Sequence, residues 1–287
     1  MTREAKTHIR KWVVWAILLA VTAGTGCASK MERAVTGMMN QTDVILVKNG
    51  IATPILLLDG LTEAWPGNDT YKLLAAQLNV AYGSILLSEN ETERSVQAFL
   101  KAMDYGMDAL CQRNKAFRKA KDAPVDQFVT SFRYFDKKDV PYLYYTAQAW
   151  LLWIGTDGSW RAAADVPKVE RLIKLVLKLD ETYNYGMAHC LLAVIYTSRP
   201  AALGGQPELA REHFEKAMAI SNGRCLPVNV LYANHYCRLV YDRERHDALL
   251  QNVVAADPDT LPPHLKIMNI IAREEAQKLL DGADDYF

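Results

Sequence analysis

The chain has 287 residues, of which 50% are hydrophobic, and its 33 basic and 33 acidic residues give a formal net charge of zero. A chain of this length and apolar content can form one large or two small packed domains. The balanced charge argues against a nucleic-acid-binding protein, because such proteins gather an excess of basic residues on one face.

The first 26 residues have the features of a secretory signal peptide. A basic head precedes an uncharged apolar run over 12–21, and small residues then lead directly to Cys27. Acyl chains on a cysteine that becomes N-terminal after cleavage hold bacterial lipoproteins on a bilayer. We therefore predict a signal peptide over 1–26, a lipid anchor at Cys27 and a periplasmic location. The residue after Cys27 is Ala28 and not the aspartate that retains many lipoproteins at the inner membrane, which favours anchoring in the outer membrane. Ordinary cleavage or a retained helix is the alternative, although the apolar run is too short to cross a bilayer core about 30 Å thick.

Beyond this head, almost every long segment has an apolar period near 3.6 residues, and none keeps the two-residue alternation of a strand. Prolines such as Pro167 and Pro207 mark helix starts, and glycine-containing loops mark helix ends. The predicted helices span roughly 32–48, 51–64, 69–88, 91–115, 124–134, 140–155, 165–180, 184–198, 207–221, 227–242, 244–256 and 262–281. We predict an all-α protein, with a tether and first helix over 27–49 and one helical domain over 50–287.

Four of these helices share one spacing, in which a small residue is followed four residues later by a large one and three later by another small one. The spacing occurs at Ser95, Phe99 and Ala102 and at Ala210, Phe214 and Ala217, and more loosely at Val169, Ile173 and Val176 and at His246, Leu250 and Val253. Gly83 lies twelve residues before Ser95, and the wide interval before Val169 predicts a further degenerate unit within 124–155. The pattern resembles the tetratricopeptide repeat, in which small side chains let paired helices approach closely. It implies helical pairs stacked into a curved superhelical domain with a concave binding face. A helical bundle with accidental spacing is the alternative.

Longer segments resemble one family, the T components of TRAP transporters (the TatT family). The most specific matches are Asp59-Gly60-Leu61, the loop with Gly204 and Gly205, and the tail from 261 to Phe287, whereas 117–165 matches least. Members are periplasmic lipoproteins of tripartite ATP-independent transporters. The resemblance implies that the protein is not an enzyme and that it assembles as a homotrimer. It also implies that the protein binds the solute-binding P component and holds a hydrophobic solute in an apolar cavity or pore. Asp59, Gly204 and Gly205 are then candidates for docking the partner.

Aromatic side chains are the candidates for the wall of such a cavity or pore, because large rings with polar tips suit a ligand site. They are Tyr82, Tyr142, Tyr145, Trp150, Trp153 and Trp65. Packing between helices accounts for the densest part of this cluster, within 142–153, more simply, and Asp59-Gly60 can equally be a helix cap or tight turn.

The sequence contains no catalytic motif and no spacing typical of metal ligands, so we expect neither an enzyme nor a cofactor. The cysteines after residue 27 are expected to be buried thiols: Cys111, Cys190, Cys225 and Cys237. An envelope assembly scaffold that grips peptide segments is the second hypothesis, and it predicts a groove lined by Asn, Lys and Arg instead of a closed apolar cavity. A cryptic hydrolase is the third.

Overall fold

The computed structural model describes residues 43–199 and 201–287, together with Lys30, Arg33, Ala34, Gly37 and Gln41. The predicted signal peptide and Cys27 lie outside the described residues. Every regular element within the described ranges is helical, which confirms the all-α prediction. The α-helices in chain order are α1 Val44–Gly50, α2 Ala52–Ala64, α3 Asp69–Ser88, α4 Thr92–Arg113, α5 Lys115–Ala120, α6 Val125–Thr130, α7 Val140–Asp157, α8 Trp160–Ala163, α9 Val166–Asp180, α10 Met187–Thr197, α11 Pro207–Ser221, α12 Pro227–Leu231, α13 Arg243–Ala255 and α14 Lys266–Asp281. A π-helical segment, Tyr232–Cys237, extends α12.

The long helices form successive pairs, α3 with α4, α7 with α9, α10 with α11, and α12 with α13, and α14 packs against the last pair. In each of the four pairs the second helix carries one of the triads defined by the shared spacing. All twelve side chains of these four triads are buried. The repeat-like arrangement inferred from spacing is therefore the arrangement of the fold. Within 124–155, where a further degenerate unit is predicted, the structure has the six-residue helix α6, two short 3-10 helices over Ser131–Tyr134 and Lys137–Asp139, and the long helix α7.

The first pair shows why the triad needs small residues. Asn68 caps α3, since its side-chain Oδ1 accepts the Tyr71 amide at 3.2 Å. Across the pair, the Ser95 hydroxyl donates to the Gly83 carbonyl at 2.8 Å. A Cβ atom at Gly83 would lie 2.6 Å from the Phe99 ring, which is fully buried. The twelve-residue interval between Gly83 and Ser95 thus marks the closest approach of the two helices.

Several boundaries differ from the sequence prediction for identifiable reasons. The helix predicted over 91–115 ends at Arg113, because the Asn114 side-chain Oδ1 accepts hydrogen bonds from the amides of Ala116 and Phe117 and so caps the start of α5. The helix predicted from 184 starts only at Met187, after a left-handed turn in which Asn184 and Tyr185 have positive φ. Asp59-Gly60 lies inside α2, so it is neither a cap nor a turn.

Polar and thiol side chains in the core are mostly accounted for. The four cysteines of the helical body are buried and unpaired, as expected. Asn269 joins α14 to the loop before α12, since its side chain accepts the Leu226 amide at 3.0 Å and donates to the Arg224 carbonyl at 3.1 Å. Asn79 donates to the Ala75 carbonyl of its own helix at 2.8 Å.

Candidate functional site

An open cleft of 840 Å³ lies where α2, α3 and α4 meet, and the C-terminal end of α7 contributes to its rim. Small and aliphatic side chains form part of its wall: Ala52, Ile55, Leu56, Val96 and Ala98. Polar and charged side chains form the rest: Asp59, Asn79, Tyr82, Thr92, Glu93, Arg94, Gln97, Lys101, Thr156 and Asp157. The cleft is therefore an open groove of mixed character, whereas the family resemblance implies an apolar cavity or pore.

Asp59 is the centre of a polar network in this cleft. Its carboxylate pairs with the Lys101 ammonium group and accepts a hydrogen bond from the Tyr105 hydroxyl at 2.7 Å. Thr62 donates to the Asp59 carbonyl at 2.8 Å. Burial raises the pKa of Tyr105 to about 12, so its hydroxyl stays protonated and remains a donor. These contacts tie α2 to α4 and fix the orientation of the carboxylate.

Tyr82 faces the same cleft from α3 and is held by Arg94 of α4. The Arg94 guanidinium donates to the Tyr82 hydroxyl at 2.5 Å and also pairs with Glu91. Glu91 and Tyr82 raise the pKa of Arg94 above its ordinary value, so this cation is permanent. The cleft therefore presents two cations, Arg94 and Lys101, beside an aliphatic wall.

This arrangement suits the binding of a partner or ligand better than catalysis. Apolar surface next to paired charges and an amide can hold a protein segment or an amphiphilic molecule, because the apolar area drives association and the polar groups orient it. Within the described residues, no three His, Cys, Asp or Glu side chains converge closely enough to hold a metal ion.

Two of the residues singled out from sequence, Asp59 and Tyr82, meet in this cleft, whereas the other aromatic candidates lie elsewhere. Tyr142 is buried beneath the Arg113 guanidinium, whose carbon lies 4.2 Å from the ring centroid. Trp150 is buried as well, and its indole N–H donates to Asp165 at 3.2 Å.

Two further aromatic candidates and the glycine pair also lie away from the cleft. Tyr145 and Trp153 are half-buried and pack against the main core. Trp65 follows α2 with 57% of its surface exposed. Gly204 has a positive φ of +86°, and with Gly205 it precedes α11. None of these residues lines the cleft, so their roles as ligand or docking residues stay predictions.

Sequence reasoning missed Lys101, Tyr105 and Arg94 as members of the site. A signal for Arg94 was present, since Tyr82 and Arg94 are separated by the same twelve residues as Gly83 and Ser95 and so face each other across the pair. Lys101 and Tyr105 carry a weaker signal, because they lie four residues apart and share a helix face.

Comparison with known proteins gives a family and two further matches. A family described as TRAP transporter T-component matches residues 40–287. A segment of 147 residues is 26% identical to an uncharacterized protein of Treponema pallidum (strain Nichols), covering 48% of this chain and 45% of that protein, which is less than half its length. The crystal structure of the C-terminal part of a TPR repeat-containing protein from Cytophaga hutchinsonii matches with 15% identity and a TM-score of 0.32, covering 77% of this chain and 95% of that one.

Proposed function

Because the chain belongs to the family of TRAP transporter T-components, we propose that it binds the solute-binding P component of its transporter through the cleft between α2, α3 and α4. The family is one of transporter accessory components and not of enzymes, and it suggests an envelope or periplasmic location.

The observation that carries the proposal is the mixed character of the open cleft. A protein segment presents both apolar side chains and hydrogen-bonding groups. In the cleft, the aliphatic wall of Ile55 and Leu56 can contact the apolar side chains, and Arg94 and Lys101 can donate to the hydrogen-bonding groups. Asp59 and Tyr82 are already fixed by contacts between helices, so little side-chain entropy is lost when a partner binds.

The experiment measures binding of the purified P component to the mature chain by isothermal titration calorimetry. Gln97 is exposed within the cleft, so Gln97→Trp fills the cleft without disturbing the core, and we expect roughly tenfold weaker binding. Gln127→Trp makes the same change at an exposed position of α6 outside the cleft and should leave the affinity unchanged. If both variants bound the P component with equal affinity, the cleft would be excluded as the binding site. If the parent chain did not bind the P component at all, that protein would be excluded as the partner.

A hydrophobic solute is the second candidate occupant, favoured by the aliphatic part of the wall. Such a solute would pass from this protein to the P component, which delivers it to the membrane permeases. Solvent extraction of the purified protein, alone and with its P component, followed by mass spectrometry tests this. Recovery of a lipid-like molecule that Gln97→Trp displaces supports it, and an empty cleft in both samples contradicts it.

The remaining proposals concern assembly and location. We propose that residues 1–26 are removed, that Cys27 carries the lipid anchor in the outer membrane, and that 27–49 tethers the helical domain 50–287, which assembles as a homotrimer. Mass spectrometry of the intact protein tests the anchor, and light scattering tests the trimer. An assembly scaffold remains the alternative, since the groove contains Asn79, Arg94 and Lys101. Genes for a P component and permeases beside this one would favour transport.

A further inference from the structure

The helical run α1–α2 has an exposed face that is mostly apolar, with Asn49, Thr53 and Glu63 as its exposed polar residues. Ile51 lies between the two helices with helical φ and ψ, so Val44–Ala64 forms one run of 21 residues, about 30 Å long. One side of it packs against α3 through Ile55 and Leu58. On the other side, outside the cleft, four large apolar residues are exposed by 52–71%, and we call them the apolar stripe: Ile45, Leu46, Leu57 and Trp65.

Charge is nearly absent from this face. Between Val44 and Trp65 the ionisable residues are Lys48, Asp59 and Glu63. Lys48 is turned toward Glu89, at 3.8 Å, and Asp59 toward Lys101. Glu63 alone is exposed, near the end of the run. A contiguous apolar face of this kind marks a surface that something else covers.

We infer that the apolar stripe rests on the lipid surface and lies along the membrane, parallel to its plane. By length and composition Val44–Ala64 could also cross a bilayer, but core helices and signal sequences have the same properties. Its packed side argues against crossing, because Ile55 and Leu58 are already buried against α3 and lipid cannot surround the helix. A helix with one packed side and one apolar side fits the interface instead.

The inference rests on the anchor proposed at Cys27. The fifteen residues between Cys27 and Asp43 extend over at most about 50 Å, so the stripe starts within that distance of the bilayer. Tethering raises the effective lipid concentration at the stripe, so even a weak apolar affinity keeps it on the surface. Trp65 ends the stripe with an exposed amphipathic ring, the residue type that is enriched at membrane interfaces.

The test removes the anchor so that the stripe is measured alone. The mature chain with Cys27→Ser is floated with vesicles of phosphatidylethanolamine and phosphatidylglycerol. We expect it to bind, and Leu46→Glu with Leu57→Glu to bind roughly tenfold more weakly. Neither leucine lines the cleft and both are exposed, so the fold and P-component binding should be unchanged. Leu209→Glu, at an exposed leucine of α11, is the matched control. Because the stripe carries so little charge, binding should not depend on salt.

Fluorescence gives a second readout. In a Trp160→Phe background, which removes the most exposed tryptophan of the described residues, vesicles should shift the emission of Trp65 to the blue, and the Leu46/Leu57 double variant should abolish the shift.

Three results would overturn the inference: no flotation of the Cys27→Ser chain, a double variant that dissociates an oligomer, or one that no longer binds the P component. The last two would make the stripe a protein interface. A missing acyl group on Cys27 in the native protein would instead refute the anchor, and is read independently by mass spectrometry.

Discussion

Substituting Gly83 by alanine should destabilise the protein, although the same substitution normally stabilises a helix interior. Gly→Ala inside a helix contributes about 1 kcal/mol of stability. At Gly83, however, the new Cβ would lie 2.6, 2.8 and 3.1 Å from three atoms of the Phe99 ring, against 3.4–4 Å for an ordinary contact. That ring is fully buried, so a shift of the ring would have to displace other core side chains. Overpacking of this kind costs ~1–3 kcal/mol, so we expect a net loss of about 1 kcal/mol.

Gly60 supplies the matched control. It also lies inside a helix, α2, but a Cβ there would have no atom within 4 Å. Gly60→Ala should therefore raise the free energy of unfolding by about 0.5–1 kcal/mol. Urea titrations followed by circular dichroism measure both changes, and the midpoint should move in opposite directions at an unchanged slope.

A double-mutant cycle isolates the cause. In a Phe99→Ala background the ring is absent, so Gly83→Ala should become stabilising by about 1 kcal/mol. If Gly83→Ala stabilised the parent chain as Gly60→Ala does, α3 and α4 would be farther apart than the Ser95–Gly83 hydrogen bond implies, and the helical-pair reasoning would be wrong.

Three further outcomes are expected. Phe214→Ala should lower the free energy of unfolding by about 3–5 kcal/mol in urea titrations, because the ring is fully buried and stacks on Tyr232 at 4.9 Å; a loss below 1 kcal/mol would contradict this packing. His189 and His213, whose Nδ1 atoms are 2.7 Å apart, have pKa values lowered to about 4, chiefly by burial. Since the unfolded chain takes up protons at these histidines at a higher pH than the folded chain, the free energy of unfolding should fall as the pH drops from 6.5 to 4. Replacing both histidines by glutamine should make this fall with pH less steep, and an unchanged pH dependence would show that the two histidines do not cause it. The four buried thiols should react with a thiol reagent only in denaturant, so a single reactive thiol in the native preparation would show that Cys27 is not acylated.

Much of the fold could be predicted because helical period, caps and small residues are local signals. The start at Asn68 and the triad of Ala210, Phe214 and Ala217 were read correctly for that reason. The break at Asn114 was missed, since an asparagine inside a helical pattern reveals its capping role only when its side chain accepts the following amides. Asp59 was selected through family resemblance, whereas its partner Lys101 had only the weak signal of sharing a helix face with Tyr105.

The sequence by itself determined which segments are helices and how they pair, because an apolar period and a twelve-residue register fix the faces that must approach each other. Only the tertiary structure decided what each face meets. Tyr142 and Trp150 belong to the core because other helices cover them, whereas Leu46 and Leu57 have equally apolar side chains and are left uncovered. The cleft likewise exists because Asp59 meets Lys101 and Tyr105 across 42 and 46 residues of chain. Periodicity defines an apolar side of a helix, but burial depends on neighbours that are distant in sequence.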